Sequence, residues 1–190
     1  MIALLIAVIV ALPVARPMPP PIILDDATKA KLQQIAFQAA REGDTKTLAA
    51  YFKAGQPVNV ANTRGDTMLI LAVYHGHTEA VELILKQPKL TFDHRNAMGF
   101  TALDGAAFKG SVPLAKLLVK AGADLNAKPA SGKTALMLAA LTDRAEMVEY
   151  LLATGADPKA TDKDGNTALS VAETQGAKGA IAKLKAALEK

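Results

Sequence analysis

Apolar residues recur along this chain in short strings that have the spacing of helices rather than of strands. One kind of string follows directly after a Gly-x-Thr triplet and is rich in Ala, Leu and Met, as in ALMLAA at 135–140. The other kind places apolar residues three and four positions apart, as in Leu114, Leu117 and Leu118. Such spacing predicts amphipathic helices. The chain is therefore predicted to be all-α and built from pairs of short helices, with Leu117 and Leu118 in the core.

The Gly-x-Thr triplet marks an internal repeat. Its four copies are separated by 34, 33 and 33 positions, and they are Gly65-Asp66-Thr67, Gly99-Phe100-Thr101, Gly132-Lys133-Thr134 and Gly165-Asn166-Thr167. A second marker recurs eleven positions after each first glycine, and its copies are Gly76, Gly110, Asp143 and Gly176. A period of this length is typical of solenoid proteins, in which neighbouring units stack on one another.

The residues of one unit predict how it folds. A threonine such as Thr134 caps the start of the first helix with its hydroxyl. A glycine such as Gly76 or Gly110 permits the positive φ needed where that helix stops and the chain reverses, and Asp143 can take the same conformation at some cost. One unit cannot bury its own apolar face, so stacking of units must supply the core.

The repeat resembles the ankyrin repeat, and Asn96–Lys128 aligns with that 33-residue pattern in register along its whole length. The resemblance implies a solenoid of about five stacked helix-turn-helix units with hairpin-like loops, the first and last units acting as caps. The predicted units are 27–61, 62–95, 96–128, 129–161 and 162–190. In the first unit, Leu32, Ile35, Ala36 and Ala39 are predicted to form one apolar stripe facing the core.

The chain departs from the ankyrin pattern where that pattern reads T-P-L-H. The proline is replaced by Met68, Ala102, Ala135 and Ala168, and the histidine by Ile70, Asp104, Met137 and Ser170. Because the histidine normally bonds between loops, polar ties between units are expected to be weaker here. The second unit also closes without a glycine, at residues 87–93.

The resemblance implies a function in protein binding through the turn tips and the exposed ends of the first helices, which form a concave surface. Carried over position by position, that surface includes Arg64, Asp66, Tyr74, His75, Met98, Phe100, Phe108, Lys109, Lys133, Leu141 and Thr142. Its apolar members are predicted to form one stripe. The alternative is that Phe108 and Leu141 turn inward, or that the proline-rich segment before the repeats covers the stripe.

The first residues have a different composition. Residues 1–15 are apolar and uncharged, and the run 2–14 would span roughly 20 Å as a helix, against about 30 Å for a bilayer core. This favours a signal peptide and hence a periplasmic or secreted protein. The missing basic residues and Pro13 leave two alternatives, an uncleaved membrane anchor or an apolar arm packed on the fold. Residues 16–26 form a proline-rich spacer in this interpretation.

Composition and motifs give no sign of catalysis. The chain has no cysteine, and its net charge of +4 is too small to argue for nucleic acid. Residues 127–134 match a relaxed phosphate-loop pattern, but its glycine and threonine are those of the repeat turn. His75 and His77 flank a turn and are expected to point apart, with His94 in a loop, so no metal site is predicted.

We therefore expect a non-enzymatic protein without cofactor, metal, nucleic acid or small-molecule substrate, whose partner is another protein. It would meet a membrane only if residues 1–15 remain uncleaved. Two alternative functions stay open at this point: an accessory, inhibitory or protective subunit of an enzyme, and a secreted effector.

Overall fold

The structure is a computed structural model that describes residues 25–127 and 131–189. The signal-peptide or anchor segment, nearly all of the proline-rich spacer and residues 128–130 lie outside the described residues. The described part contains five pairs of helices. They are α1 (Asp26–Glu42) and α2 (Thr45–Lys53), α3 (Met68–His75) and α4 (Thr78–Leu85), α5 (Ala102–Lys109) and α6 (Val112–Ala121), α7 (Ala135–Leu141) and α8 (Ala145–Ala153), and α9 (Ala168–Gln175) and α10 (Lys178–Leu188).

The helices form two layers. The first helices of the pairs, α1, α3, α5, α7 and α9, pack side by side in chain order, and the second helices, α2, α4, α6, α8 and α10, form the layer behind them. Each first helix also packs against the second helix of its own pair. This arrangement confirms the predicted all-α ankyrin solenoid of five units. In the described part of the chain, no helix is long and apolar enough to cross a membrane.

Threonines and glycines set the ends of the first helices, as predicted. The hydroxyl of Thr134 accepts a hydrogen bond from the backbone N–H of Met137 at 3.3 Å, and Thr67 caps α3 in the same way. Gly76 ends α3 with φ 83°. Asp143 adopts φ 52° at the matching position after α7, which confirms that it replaces the glycine. Its carboxylate accepts a hydrogen bond from the N–H of Ala180, so it also caps α10 of the next unit.

The first helices are the centre of the core. All side chains of Met68–Val73 in α3 and of Ala135–Ala140 in α7 are buried, because each of these helices has a neighbour on both sides and a second helix behind it. In α6, Leu118 is fully buried, as predicted, whereas Leu117 is only half-buried. The inward face of α6 is formed by Leu114, Ala115 and Leu118, and Leu117 lies at the edge of that face. The prediction that Leu117 is a core residue was therefore only partly right.

The prediction of a single core-facing row of apolar residues on α1 was partly wrong. Ala36 and Ala39 are buried, but Ile35 is 46% exposed and Leu32 is half-buried. The inward face of α1 centres on Ala36 and Ala40, which are one helical turn apart and fully buried, and α1 packs against both α2 and α3. Ile35 lies off this face because only one side of a terminal unit has a neighbouring unit to cover it.

Other residues supply the polar ties that the missing histidines do not make. Asn96 Nδ2 donates to Asp66 Oδ1 at 2.9 Å, and Ala97 N donates to Arg64 O at 2.9 Å. The second and third turn tips are therefore bonded directly to each other. Where the second unit closes without a glycine, Lys89 takes φ 62°, and its carbonyl accepts a hydrogen bond from Asn59 Nδ2.

Candidate functional site

Asparagines at the start of the turn tips fix which side chains the tips present. Asn62 Oδ1 accepts hydrogen bonds from the backbone N–H groups of Arg64 and Asp66, at 2.9 and 3.0 Å. Asn96 Oδ1 does the same for Met98 and Phe100, at 3.0 Å each. Because the asparagine satisfies the turn from inside, the side chain that precedes each glycine points outward. Arg64 and Met98 are accordingly exposed.

Large apolar side chains lie exposed on this surface. Met98 is 72% exposed, Tyr74 44% and Phe108 37%, while Phe100 and Leu141 are half-buried. Such exposure is informative, since contiguous apolar patches on soluble proteins mark contact sites. The alternative that Phe108 turns fully into the core is wrong. Leu141 is half-buried, so only part of its side chain contributes to this surface.

Tyr74, Phe108 and Leu141 occupy the same register position in three successive units. Each lies two residues before the residue with positive φ that ends its helix. Since α3, α5 and α7 pack side by side, this register brings the three side chains into one row. Polar contacts link the row: Lys109 Nζ lies 4.8 Å from the Tyr74 ring centroid, and Thr142 Oγ1 donates to Phe108 O at 3.1 Å. We call Tyr74, Met98, Phe100, Phe108 and Leu141 the apolar stripe.

The charged residues predicted for this surface fall into two groups. Arg64, Lys109 and Lys133 are exposed, whereas Asp66 is buried beneath its tip, with Arg64 Nε 3.6 Å from its Oδ2. Asp66 therefore holds the tips together rather than facing outward. His75 is exposed beside Tyr74, with their ring centroids 5.6 Å apart.

The histidines make structural contacts. His77 Nε2 lies 2.7 Å from the carbonyl oxygen of Arg41, which ties the second unit to the end of α1. The rings of His75 and His77 are nearly parallel, with centroids 6.4 Å apart, so the expectation that they point apart was wrong. Partial desolvation of the exposed His75 ring lowers its pKa, and the charges of His77, Arg41 and Lys109 act in the same direction. The described residues contain no cluster of potential ligands that could hold a metal ion.

A shallow hollow of about 170 Å³ lies where the stripe ends, between the fourth and fifth units. Its floor includes Leu138, Leu141 and Val171, and its rim includes Lys133 and Asp164. Small-molecule sites are usually about 300–1,000 Å³, so this hollow suits one side chain of a partner. Sequence reasoning missed Leu138 and Val171, because only the stacking of two units brings them together.

The phosphate-loop pattern falls partly on residues outside the described ranges. Of its described part, Thr134 caps α7 and the carbonyl of Ser131 accepts a hydrogen bond from Lys163 N at 3.1 Å. Both groups therefore serve the repeat turn.

Asp104 lies buried at the start of α5, at the position of the family's histidine. Its Oδ2 accepts hydrogen bonds from Thr101 N at 2.9 Å and from Thr101 Oγ1 at 3.0 Å, and its own N–H donates to Thr101 Oγ1. Burial raises the pKa of the carboxyl above its ordinary 3.8, against the opposing effect of these bonds and of Arg95.

We expect protonation of Asp104 to stabilise the fold. Because the folded-state pKa is the higher one, stability linked to this group is fully present below 3.8 and is lost as pH rises through the folded-state value. Asp104→Asn removes the titration but keeps an acceptor for Thr101. The free energy of unfolding of both proteins is measured with urea from neutral pH down to 3.8. We expect the wild type to gain stability relative to Asp104→Asn as the pH falls. A constant difference between the two would contradict this.

Comparison with known proteins fits this geometry. A family model described as "Ankyrin repeats (3 copies)" matches residues 36–129 and 106–187, which together cover most of the chain. The chain belongs to the ankyrin repeat family. Ankyrin repeats are generally protein–protein interaction modules, and the family is typically non-enzymatic.

Relatives of this ankyrin repeat protein come from animals, fungi and bacteria. It is 35% identical to the human "Ankyrin repeat and SOCS box protein 3" over 91 residues, covering 47% of this chain and 18% of that protein. It is 35% identical over 111 residues to an ankyrin repeat domain-containing protein of Stachybotrys chartarum, covering 56% of this chain and 6% of the relative. A putative ankyrin repeat protein of Pseudomonas aeruginosa is 42% identical over 60 residues, 32% of this chain and 34% of the relative.

The ankyrin chain thus spans less than a fifth of the human and fungal proteins' own length. The matches therefore support the ankyrin repeat fold and the general role of such repeats in protein binding.

Proposed function

We propose that this ankyrin protein binds a partner protein through the concave surface formed by its turn tips and first-helix ends, with the apolar stripe at the centre. The observation that supports this proposal most directly is the exposure of Tyr74, Met98 and Phe108 on adjacent units. Within 25–127 and 131–189, Ile35 is the one other large hydrophobic residue that is exposed. Aromatic residues in such positions supply much of the binding energy of protein interfaces.

Rigid support favours this surface as a recognition site. Each exposed aromatic side chain of the stripe follows a buried residue, Val73 before Tyr74 and Ala107 before Phe108. The tips are joined by the Ala97–Arg64 backbone hydrogen bond. The backbone that carries these side chains is therefore held in place before a partner binds, which lowers the free-energy cost of ordering it on binding.

We further propose that the protein works after export, in the periplasm of a bacterium, without catalytic activity of its own. The apolar, uncharged run 2–14 supports export. The relative in Pseudomonas aeruginosa supports a bacterial setting. The first helix begins at Asp26, capped by the side chain of Asp25, so its start is stabilised by its own residues.

The test of binding compares a double serine variant of the apolar stripe with a single serine variant outside it. Tyr74→Ser with Met98→Ser removes the two most exposed side chains of the stripe, whereas Ile35→Ser removes an exposed apolar side chain on α1. Each full chain is immobilised and exposed to envelope extract of the cells that produce it. We expect the amount of captured protein to be at least about tenfold lower with the double variant than with the wild type, and to be unchanged with Ile35→Ser.

Thermal melting and intact mass complete the test. Because the three replaced residues are exposed, all variants are expected to melt close to the wild type. Equal capture by the double variant and the wild type would place recognition elsewhere, most simply on the second helices. The intact mass of the protein recovered from the envelope fraction tests export, and a full-length mass found in the cytosol would contradict it.

A further inference from the structure

The concave surface of the three middle units carries charge of one sign. Its segments are 62–75, 96–109 and 131–142, all of them described, and their Lys and Arg residues are Arg64, Lys109 and Lys133. All three are exposed, and Arg64 keeps 71% of its side chain in solvent. The same segments contain two carboxylates, Asp66 and Asp104, and both are buried, at 8% and 3% exposure.

The buried carboxylates are committed to the fold. Asp66 Oδ1 accepts a hydrogen bond from Asn96 Nδ2 of the next tip, and Asp104 Oδ2 accepts two from Thr101. The outer surface of these segments therefore shows cations and apolar groups without an exposed carboxylate. The cations lie beside the apolar stripe: Lys109 Nζ is 4.8 Å from the Tyr74 ring centroid, and Lys133 borders the hollow that Leu141 lines.

Other described surfaces carry both signs of charge. Lys29 pairs with Asp26 at 3.0 Å in the first unit, Lys185 with Glu173 at 3.2 Å in the fifth, and Lys183 with Glu149 at 2.7 Å on the second helices. The fifth unit also presents Lys163 and Asp164 side by side on its tip. Within 62–75, 96–109 and 131–142, in contrast, the exposed charges beside the apolar stripe are all cations, and Asp164 of the fifth unit lines the hollow at the end of the stripe.

We propose that the segment bound on this surface is an acidic polypeptide stretch that carries aromatic or aliphatic side chains between its carboxylates. This rests on the proposed function and specifies its partner. The apolar stripe and the hollow receive the apolar side chains, and Arg64, Lys109 and Lys133 meet the carboxylates. Such complementarity speeds encounter and rejects basic partners, since like charges brought together on desolvation are costly.

The experiment uses defined polymers as probes of the full chain. The probe of the proposal is a fluorescent random copolymer of glutamate and tyrosine. Polyglutamate has the charge without the apolar groups, a lysine–tyrosine copolymer has the apolar groups with the opposite charge, and polyuridylate is a polyanion of another class. By fluorescence anisotropy we expect the glutamate–tyrosine copolymer to bind at least about tenfold more tightly than each of the others, and more weakly as salt rises.

Two double variants with the same change in net charge test where the carboxylates bind. Lys109→Gln with Lys133→Gln removes two cations of the concave surface, and Lys116→Gln with Lys120→Gln removes two exposed cations of α6 in the other layer. We expect the concave pair to weaken binding of the glutamate–tyrosine copolymer about threefold to tenfold, and the α6 pair to leave it unchanged.

The outcomes separate this inference from the proposed function. Tight binding of the lysine–tyrosine copolymer that Tyr74→Ser with Met98→Ser abolishes would overturn the acidic partner and keep the concave site. Equal binding of polyuridylate or polyglutamate would overturn the requirement for apolar side chains. Glutamate–tyrosine binding that neither the apolar nor the charge variants of the concave surface reduce would overturn both proposals.

Discussion

Replacing Leu118 with alanine is expected to lower the free energy of unfolding by about 2–5 kcal/mol. Leu118 is fully buried in α6 of the middle unit, where α6 packs on α5, α4 and α8. The cavity left by the substitution cannot be refilled easily, because helices on every inner side hold the surrounding side chains in place. Chemical denaturation with urea measures the loss directly.

Leu117 provides the matched control for Leu118. It has the same side chain on the same helix, one residue earlier, and it is only half-buried. Leu117→Ala is expected to lose about 1–2 kcal/mol, since part of the side chain is already in contact with water. If both variants lost the same amount, the inward face of α6 would be misassigned.

Gly65→Ala is expected to destabilise the protein by about 2–5 kcal/mol, more than its surface position suggests. Gly65 has φ 74°, and a Cβ atom placed there would lie 2.8 Å from the backbone N of Ala97 and 3.0 Å from the Cα of Asn96. Backbone cannot move aside as a flexible side chain does. Relief of the clash would separate the two tips and break the Ala97–Arg64 hydrogen bond.

Gly165 is the matched control for Gly65, because it is the same glycine of the repeat in the last unit. Its φ is 79°, but a Cβ atom placed there would meet no atom within 4 Å apart from those of its chain neighbours. Gly165→Ala therefore incurs only the left-handed backbone cost of about 1–2 kcal/mol. The difference between the two variants in urea unfolding measures the contribution of the tip-to-tip contact, and equal losses would show that the contact contributes nothing.

The candidate surface was predictable in outline from local signals. The register of Tyr74, Phe108 and Leu141 follows from the spacing to the residues that end each helix, so the row could be predicted before the fold was known. Its charge balance could not. Asp66 lies in a polar turn and Asp104 in an otherwise apolar string, and only the folded chain shows that both are buried and which groups bond to their carboxylates.

By itself the sequence determined the repeat, the helix ends and the family. Thr134 caps α7 and Gly76 ends α3 through bonds and dihedral angles within a few residues, and local interactions of that kind are encoded locally. The tertiary structure alone decided that Leu118 rather than Leu117 is fully buried, that Ile35 stays exposed, and that Asn96 and Asp66 tie the tips together. These outcomes depend on how neighbouring units stack, and residues about 30 positions apart meet only when they do.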